Sequence, residues 1–134
     1  MYLVVTRSFP PELGGMQSLM WGLSKELSKN YLIKVFADYQ NGHKEFDENV
    51  NFSIERVGGI KFLRKIRKAQ LIDEVSKENQ IQGIIADHWK SLELLKNNKK
   101  KYCISVFKTK NSNIFQSNVA SYNSINLAKM VIEY

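Results

Sequence analysis

Hydrophobic and polar positions follow two alternating periods along most of the chain. Short apolar runs rich in β-branched residues, typical of buried parallel strands, lie at 2–6, 32–36, 51–57, 83–86 and 102–107. Between them, apolar residues recur three and four positions apart, which predicts helices over 16–29, 60–79 and 89–97. Strands that alternate with helices indicate an α/β protein with a Rossmann-like open parallel sheet of about five strands.

The two long helices each carry an apolar stripe, which predicts the face turned to the sheet. In the first helix the stripe consists of Met16, Leu19, Met20, Leu23 and Leu27. In the second it consists of Phe62, Leu63, Ile66, Ala69, Ile72 and Val75. One domain is therefore predicted over residues 1–107. Residues 108–134 are richer in Asn and Ser, which predicts a polar tail with a short helix over 125–132.

Charge and composition narrow the class of protein. A net charge of +7 favours an anionic partner, either nucleic acid, anionic lipid or a phosphorylated small molecule. No apolar run approaches the ~18 residues that a membrane-spanning helix needs. The lone cysteine, Cys103, is interpreted as a small buried side chain and fits a reducing compartment. A cytoplasmic protein is therefore expected.

The loop between the first strand and the first helix is the best candidate for a binding site. Ligands of open parallel sheets bind beyond the carboxyl ends of the strands, where the strand order reverses, and the first strand flanks that point. Gly14 and Gly15 immediately precede the helix, so their N–H groups can approach an anion closely. This pattern predicts a phosphate or carboxylate site, unless the glycines only permit a tight turn. Arg7 is either an anion-binding cation there or a solvated one.

The segment Thr6–Gln17, with its Phe-Pro-Pro, Gly-Gly and leucine-rich helix, resembles the amino terminus of family 4 retaining glycosyltransferases. Asp87-His88-Trp89 resembles the motif after the fourth strand of that family, and residues 123–128 are weakly similar to the start of a late helix. The resemblance covers most of residues 1–106. It implies a GT-B fold, in which two Rossmann-like domains face each other across a cleft.

The resemblance also implies roles for individual residues. The chain would be the acceptor-binding domain of an enzyme that transfers a sugar from a nucleotide-sugar to a hydroxyl acceptor, in cell-envelope polysaccharide or glycolipid synthesis. Gly14, Gly15 and Arg7 would face the donor diphosphate. The implied acceptor-binding residues are Glu12, Gln17, Asp87 and His88. The nucleotide-sugar is a substrate, and no cofactor is expected.

Two departures from the family pattern bear on activity. The family's carboxy-terminal domain, which binds the nucleotide and supplies basic residues that stabilise the leaving diphosphate, has no counterpart in this sequence. Phe107 stands where the family has its catalytic histidine. No catalytic residue is therefore assigned, and the chain is expected to be inactive alone, as a fragment, a split enzyme or a degenerate paralogue. The alternatives are a non-catalytic interaction or membrane-surface module and a flavodoxin-like domain.

A basic run opens the second long helix. Its five cations are Lys61, Arg64, Lys65, Arg67 and Lys68. Cations interleaved with apolar residues suit either peripheral contact with an anionic membrane or a core helix with a solvated face. The lysine-rich segment 97–101 is expected to be an exposed turn. It has no aromatic platform beside it, so no nucleic-acid partner is expected.

The histidines and Trp89 remain to be interpreted. His88 either contacts acceptor hydroxyls or caps the following helix, and Trp89 either stacks on a sugar or packs in the core. His43 lies in a polar run and is expected to be exposed. No His or Cys lies at ligand spacing from His88, so no metal site is predicted.

Overall fold

The computed structural model describes residues 1–96, apart from the side chain of Trp89, and the backbone of residues 103–105. One sheet contains the strands Tyr2–Val5 (β1), Ile33–Asp38 (β2), Ser53–Val57 (β3), Gly83–Ala86 (β4) and Cys103–Ser105 (β5). Each pair of neighbouring strands in it is parallel, and the strand order is β3-β2-β1-β4-β5. The predicted α/β fold with an open, parallel, Rossmann-like sheet is confirmed.

The helices among the described residues are Gly15–Ser28 (α1), His43–Glu48 (α2), Lys61–Glu78 (α3) and a 3₁₀ helix at Trp89–Leu92. The predicted helices α1 and α3 are confirmed. The short helix predicted over 89–97 is present in part, as the 3₁₀ helix at Trp89–Leu92, in which the N–H of Ser91 donates to the carbonyl of His88. The pattern did not predict α2, which is short and buries no residue.

An apolar layer lies on each face of the sheet, since successive strand residues point to opposite sides. The layer on the α1 side includes Val4, Val35 and Ile85 with Met20, Leu23 and Leu27 of the helix. The layer on the α3 side includes Leu3, Val5, Phe36 and Ile84 with Ile72 of the helix. Of the stripe predicted for α1, Met20, Leu23 and Leu27 are thus buried and Met16 packs against the same layer, whereas Leu19 is only partly buried.

Only the second half of α3 packs as its stripe predicts. Ile72 is buried, and Ala69 and Val75 lie against the same core layer. Phe62 and Leu63, which were predicted to face the sheet, are exposed. The first turns of α3 therefore present apolar side chains to solvent.

The strand order places β1 beside β4 at the point where the chain changes direction. The chain moves outward from β1 through β2 to β3, and α3 then returns it to β4 on the other side of β1. This is the topological switch point, beyond which ligands bind in sheets of this kind. The segments that leave β1 and β4 at this edge begin with Thr6 and Asp87, and they define the candidate site.

Several predictions concern parts of the chain outside the described residues. They are the exposed turn at 97–101, the alignment of Phe107 with a histidine, the polar tail at 108–134, the similarity at 123–128 and the helix at 125–132. The proposed roles of the Trp89 and Cys103 side chains also lie outside what the structure describes.

Candidate functional site

The start of α1 is exposed and lacks a side-chain cap. Gly14 precedes the helix with φ 167° and ψ 161°, an extended conformation, and its carbonyl accepts the N–H of Ser18 at 2.9 Å. The next three N–H groups, those of Gly15, Met16 and Gln17, take no hydrogen-bond partner from the described residues. Three open donors and the positive end of the helix dipole together favour an anion.

Open space surrounds Gly15. A Cβ atom added there would meet no other atom within 4 Å, whereas one added to Gly14 would press on the side chain of Gln17. Neither crowding nor a left-handed backbone angle therefore requires glycine at position 15 in the free protein. The missing side chain leaves room for a ligand to approach the backbone.

The loop that leads to these glycines is anchored in the fold. Phe9 is fully buried in the core layer on the α1 side. The carbonyl oxygen of Pro10 accepts a hydrogen bond from Nη2 of Arg56 at 2.6 Å. Leu13, which directly precedes Gly14, is almost fully exposed. The loop is thus held in its middle, and its last residues face solvent.

Arg56 belongs to a cluster that the sequence did not reveal. Its buried guanidinium contacts Asp47 at two points, with Nε 2.9 Å from Oδ2 and Nη2 2.6 Å from Oδ1. His43, predicted to be exposed, has a side chain only 14% exposed, because its Nδ1 lies 3.0 Å from Oδ2 of Asp47 and its ring packs edge-on against Tyr39. That prediction is wrong, and α2 thereby connects to the loop through Arg56.

Thr6 directly follows β1, and each of its polar groups is bonded. Its N–H donates to the carbonyl of Phe36 at 2.9 Å. Its hydroxyl accepts the N–H of Ser8 and lies 3.1 Å from Oδ2 of Asp87. Its carbonyl oxygen accepts from Nζ of Lys68 at 2.6 Å. The end of β1 is therefore joined to α3 and to the end of β4 at the same residue.

Asp87 directly follows β4 and is 2% exposed. Its Oδ2 accepts the N–H of Arg7 at 2.8 Å, and its Oδ1 accepts the hydroxyl of Ser91 at 3.0 Å. The predicted contact between Asp87 and an acceptor is wrong for this arrangement, because the carboxylate is buried and its oxygens are already bonded. It lies beneath the site and holds together the loops that follow β1 and β4.

A second carboxylate lies at the end of β2. Asp38 pairs with Lys68 at 2.5 Å and with Arg64 at 2.6 Å. Burial lowers the pKa of Lys68, while the hydrogen bond and charge of Asp38 and the charge of Asp87 oppose that shift. Together with Arg7, these groups comprise three cations and two carboxylates, so the cluster has a net positive charge.

His88 caps the 3₁₀ helix, which is one of the two roles that the sequence left open. Its Nδ1 accepts the N–H of Lys90 at 3.1 Å. Burial lowers the pKa of His88, the positive charge of Arg7 lowers it further, and the charge of Asp87 opposes both effects. The lowered pKa favours the uncharged imidazole, and the hydrogen bond that Nδ1 accepts from Lys90 then places the ring proton on Nε2.

The structure brings Arg7, Gly14 and Gly15, the residues predicted to face a diphosphate, to one edge of the sheet. Glu12 is exposed on the same loop, and its Oε2 accepts Nε2 of Gln40 at 2.8 Å. The acceptor-binding roles of Glu12, Gln17 and His88 stay predictions.

The structure divides the basic run at the start of α3. Lys68 is 4% exposed, so its predicted place on a membrane-facing surface is wrong. Arg64 and Lys65 are each partly buried in an ion pair. Lys61 and Arg67 are exposed. The cations therefore have two roles, and only part of the run remains available to an anionic partner.

Thr6, Asp38 and Asp87 share a signal that was present in the sequence, since each is the polar residue that ends an apolar strand run. Lys68 also carried a signal, because it lies four residues before Ile72 on the buried stripe of α3. No comparable local signal marks Arg56, whose partners come from other segments.

Three further structural observations concern metal ions, membranes and a groove. Within residues 1–96 and 103–105, no group of three or more His, Cys, Asp or Glu side chains is placed to hold a metal ion. In that same part of the chain, no helix combines the length and apolarity needed to cross a membrane. A groove of about 700 Å³ beside Tyr31 and Asn51 lies at the opposite edge of the sheet, near the starts of β2 and β3.

No protein-family model matches the chain, and a search of curated proteins found no match to it. The basis for a functional proposal is therefore the geometry at the switch point, together with the resemblance of the loop before α1.

Proposed function

We propose that this domain binds the diphosphate of a nucleotide-sugar at the exposed start of α1, as the acceptor-side half of a GT-B glycosyltransferase. The complete reaction transfers the sugar to a hydroxyl acceptor, and a second domain holds the nucleotide, as the resemblance implies. The observation that carries the proposal is the set of open N–H groups at Gly15, Met16 and Gln17, on the same sheet edge as Arg7.

A diphosphate suits this edge better than a neutral ligand does. Helix N–H donors and the helix dipole favour negative charge. The side chain of Arg7 is 52% exposed, and its guanidinium can contact a phosphate at two points. Asp87 does not compete strongly for it, because its nearer oxygen lies 3.9 Å from Nε of Arg7 and already accepts other hydrogen bonds.

The proposal assigns a limited share of the chemistry to this chain. Departure of a nucleoside diphosphate needs stabilisation of the charge that develops on it. The start of α1 and Arg7 supply part of that stabilisation, and the second domain supplies the rest. Glu12, Gln17 and His88 are the candidate contacts to the acceptor. No residue of this chain is assigned the catalytic step.

Calorimetric titration tests the proposal with uridine diphosphate, guanosine diphosphate and uridine. Both diphosphates are expected to bind weakly, with a Kd on the order of 1 mM, and uridine is expected not to bind. Arg7→Gln should weaken diphosphate binding, whereas Arg67→Gln, an exposed arginine of α3, should leave it unchanged. Binding of uridine as tight as that of its diphosphate, or no diphosphate binding, would contradict the proposal.

A second function, peripheral contact with an anionic membrane, is supported by a separate surface. Ile60, Phe62 and Leu63 are 69%, 65% and 45% exposed. They lie between the exposed cations Lys61 and Arg67 or beside them. The first turn of α3 contains no acidic residue, although the helix dipole favours acidic residues there. Exposed apolar side chains among cations are typical of helices that lie on anionic bilayers.

Vesicle co-sedimentation tests the membrane surface. The chain is expected to bind vesicles that contain phosphatidylglycerol more strongly than vesicles of phosphatidylcholine alone. The double variant Phe62→Ser, Leu63→Ser should lose this binding. Leu32→Ser is the control, because Leu32 is more exposed than either residue but lies at the opposite edge of the sheet. Equal binding to both vesicles, or full binding by the double variant, would contradict a membrane function.

A further inference from the structure

Two buried charged side chains hold Thr6 from two different elements. Lys68 of α3 donates to its carbonyl oxygen at 2.6 Å. Asp87, after β4, accepts from its hydroxyl at 3.1 Å and from the N–H of Arg7 at 2.8 Å. The backbone that leaves β1 is therefore bonded on consecutive residues to groups inside the fold.

Burying the charged side chains of Lys68 and Asp87 costs free energy unless ion pairs or hydrogen bonds compensate for the lost water. One turn after Lys68, the same face of α3 buries Ile72, so an apolar side chain fits this face. Lys68 instead needs Asp38 as a counter-ion at 2.5 Å. In addition to its ion pair with Asp38, Lys68 donates a hydrogen bond to the carbonyl oxygen of Thr6.

We propose that Lys68 and Asp87 are positioning residues, which fix Thr6 so that Arg7 and the open N–H groups at the start of α1 face the same anion. The identity of that anion rests on the proposed function. The fixed conformation of the loop does not depend on the proposed function, and it can be measured in the free protein. The position of Arg7 depends directly on this anchor, because its own N–H is one of the bonded groups.

The first test is Lys68→Met, which keeps the length of the side chain and removes its charge. In the free protein, amide exchange and chemical shifts of residues 6–15 are expected to change, while amides of the central strands keep their exchange rates. The affinity for inorganic pyrophosphate should fall by about tenfold or more, since small displacements of binding groups have large effects. Lys61→Met removes an exposed lysine of the same helix and should change neither quantity.

Thr6→Val provides an independent test, and it remains informative if Lys68→Met does not fold. Valine has the shape of threonine but makes none of the bonds of the hydroxyl, which joins Thr6 to Asp87 and to the N–H and carbonyl of Ser8. The same local change in residues 6–15 and the same loss of pyrophosphate affinity are therefore expected. Unchanged exchange in the loop would overturn the inference. A uniform rise in exchange over the whole sheet would also overturn it, because it would indicate a purely structural role.

The experiments distinguish failure of the proposed diphosphate site from failure of the inferred loop anchor. If the wild-type chain binds no pyrophosphate, the diphosphate site is wrong, and amide exchange in residues 6–15 still decides whether the loop is positioned as inferred. A selective change there in Lys68→Met and Thr6→Val supports the inference, and its absence in both overturns it.

Discussion

Nζ of Lys68 lies 2.6 Å from the carbonyl oxygen of Thr6, a residue 62 positions earlier in the chain. This contact joins α3 to the end of β1, directly beneath the candidate site. Since the hydroxyl of Thr6 also contacts Asp87, the loop begins at a point that is part of the buried structure. The open donors at the start of α1 therefore follow an anchored loop.

Replacing Gly15 with alanine should separate the effect on the fold from the effect on a ligand. The added Cβ meets no atom within 4 Å, and alanine favours helix over glycine, so the free energy of unfolding should stay unchanged or rise by up to about 1 kcal/mol. The new methyl group occupies the space beside the open N–H groups, so pyrophosphate affinity should fall about tenfold, or ~1.4 kcal/mol. Urea denaturation and calorimetry measure the two quantities.

Gly22→Ala is the matched control for that variant. Gly22 also lies in α1 with no atom within 4 Å of an added Cβ. It should therefore show the same gain in stability without any loss of pyrophosphate affinity. Equal pyrophosphate affinity in the Gly15→Ala variant and the wild type would favour a glycine that serves only the turn.

Removal of the Asp87 carboxylate should destabilise the fold strongly. Asp87→Ala leaves the N–H of Arg7 and the hydroxyl of Ser91 without this acceptor and removes one of the two acceptors of the Thr6 hydroxyl, the other being the carbonyl of Ser8. A loss of about 3 kcal/mol in the free energy of unfolding is therefore expected. Glu55→Gln, which removes one partner of an exposed ion pair, should cost less than ~1 kcal/mol. A cost of Asp87→Ala similar to that of the control, measured by urea denaturation, would show that the buried carboxylate does not hold the two loops.

Replacing Arg56 should make the middle of the loop between β1 and α1 more mobile. Its guanidinium bonds to Asp47 and to the carbonyl of Pro10 and lies over the ring of Phe9. Arg56→Ala removes the arginine from the partly buried carboxylate of Asp47, which keeps His43 beside it, and also removes the bond to Pro10. A loss of roughly 3 kcal/mol in the free energy of unfolding is therefore expected, with faster amide exchange near Pro10. Arg56→Lys should recover little, because lysine cannot make the two-point contact. If the amides next to Pro10 exchange at the same rate in Arg56→Ala and in the wild type, Arg56 does not anchor this loop.

The pKa of His88 should report on the position of Arg7. Burial and the charge of Arg7 both lower it, so its proton NMR titration should have a midpoint below the ordinary value of about 6.5. Arg7→Gln removes a positive charge that disfavours the imidazolium, so the midpoint should rise. Lys25→Gln, at the last turn of α1, should leave it unchanged. A midpoint that is insensitive to Arg7→Gln would place the guanidinium away from the imidazole.

The lowered pKa of His88 also makes the free energy of unfolding depend on pH. Because the folded protein binds this proton less readily than the unfolded chain does, the unfolded chain carries more protons in the window below about pH 6.5. His88 therefore lowers the free energy of unfolding as the pH falls through that window, and its contribution is constant above it. Replacing His88 with Asn should reduce this acid dependence in urea denaturation at a series of pH values. An unchanged pH profile would contradict the depressed pKa.

Much of the fold could be predicted because local periodicity follows from which faces are buried. The stripe of α1 is regular, and its residues Met20, Leu23 and Leu27 are buried as predicted. In α3 the same rule was wrong for Phe62 and Leu63, because a periodic pattern does not show where a helix passes beyond its sheet. The strand order is a property of tertiary packing, and no local pattern contains it.

The position of the loop after β1 at the switch point could also be predicted, whereas the contacts that anchor this loop could not. Arg7 and Gly15 follow the first strand, which flanks the switch point in open parallel sheets. The bonds of Lys68 to Thr6 and of Arg56 to Pro10 join residues 62 and 46 positions apart. A charged residue in a sequence does not reveal a distant partner, so Lys68 was assigned to a surface.

The most direct test of the anion site is a nitrogen-15 NMR titration of the wild-type chain with inorganic pyrophosphate at low ionic strength. Saturable shifts are expected in the amides of Gly15, Met16 and Gln17, together with the side-chain signal of Arg7, and added salt should weaken them. Absence of saturable shifts in those amides, or shifts confined to the opposite edge of the sheet near Tyr31, would contradict the proposed diphosphate site.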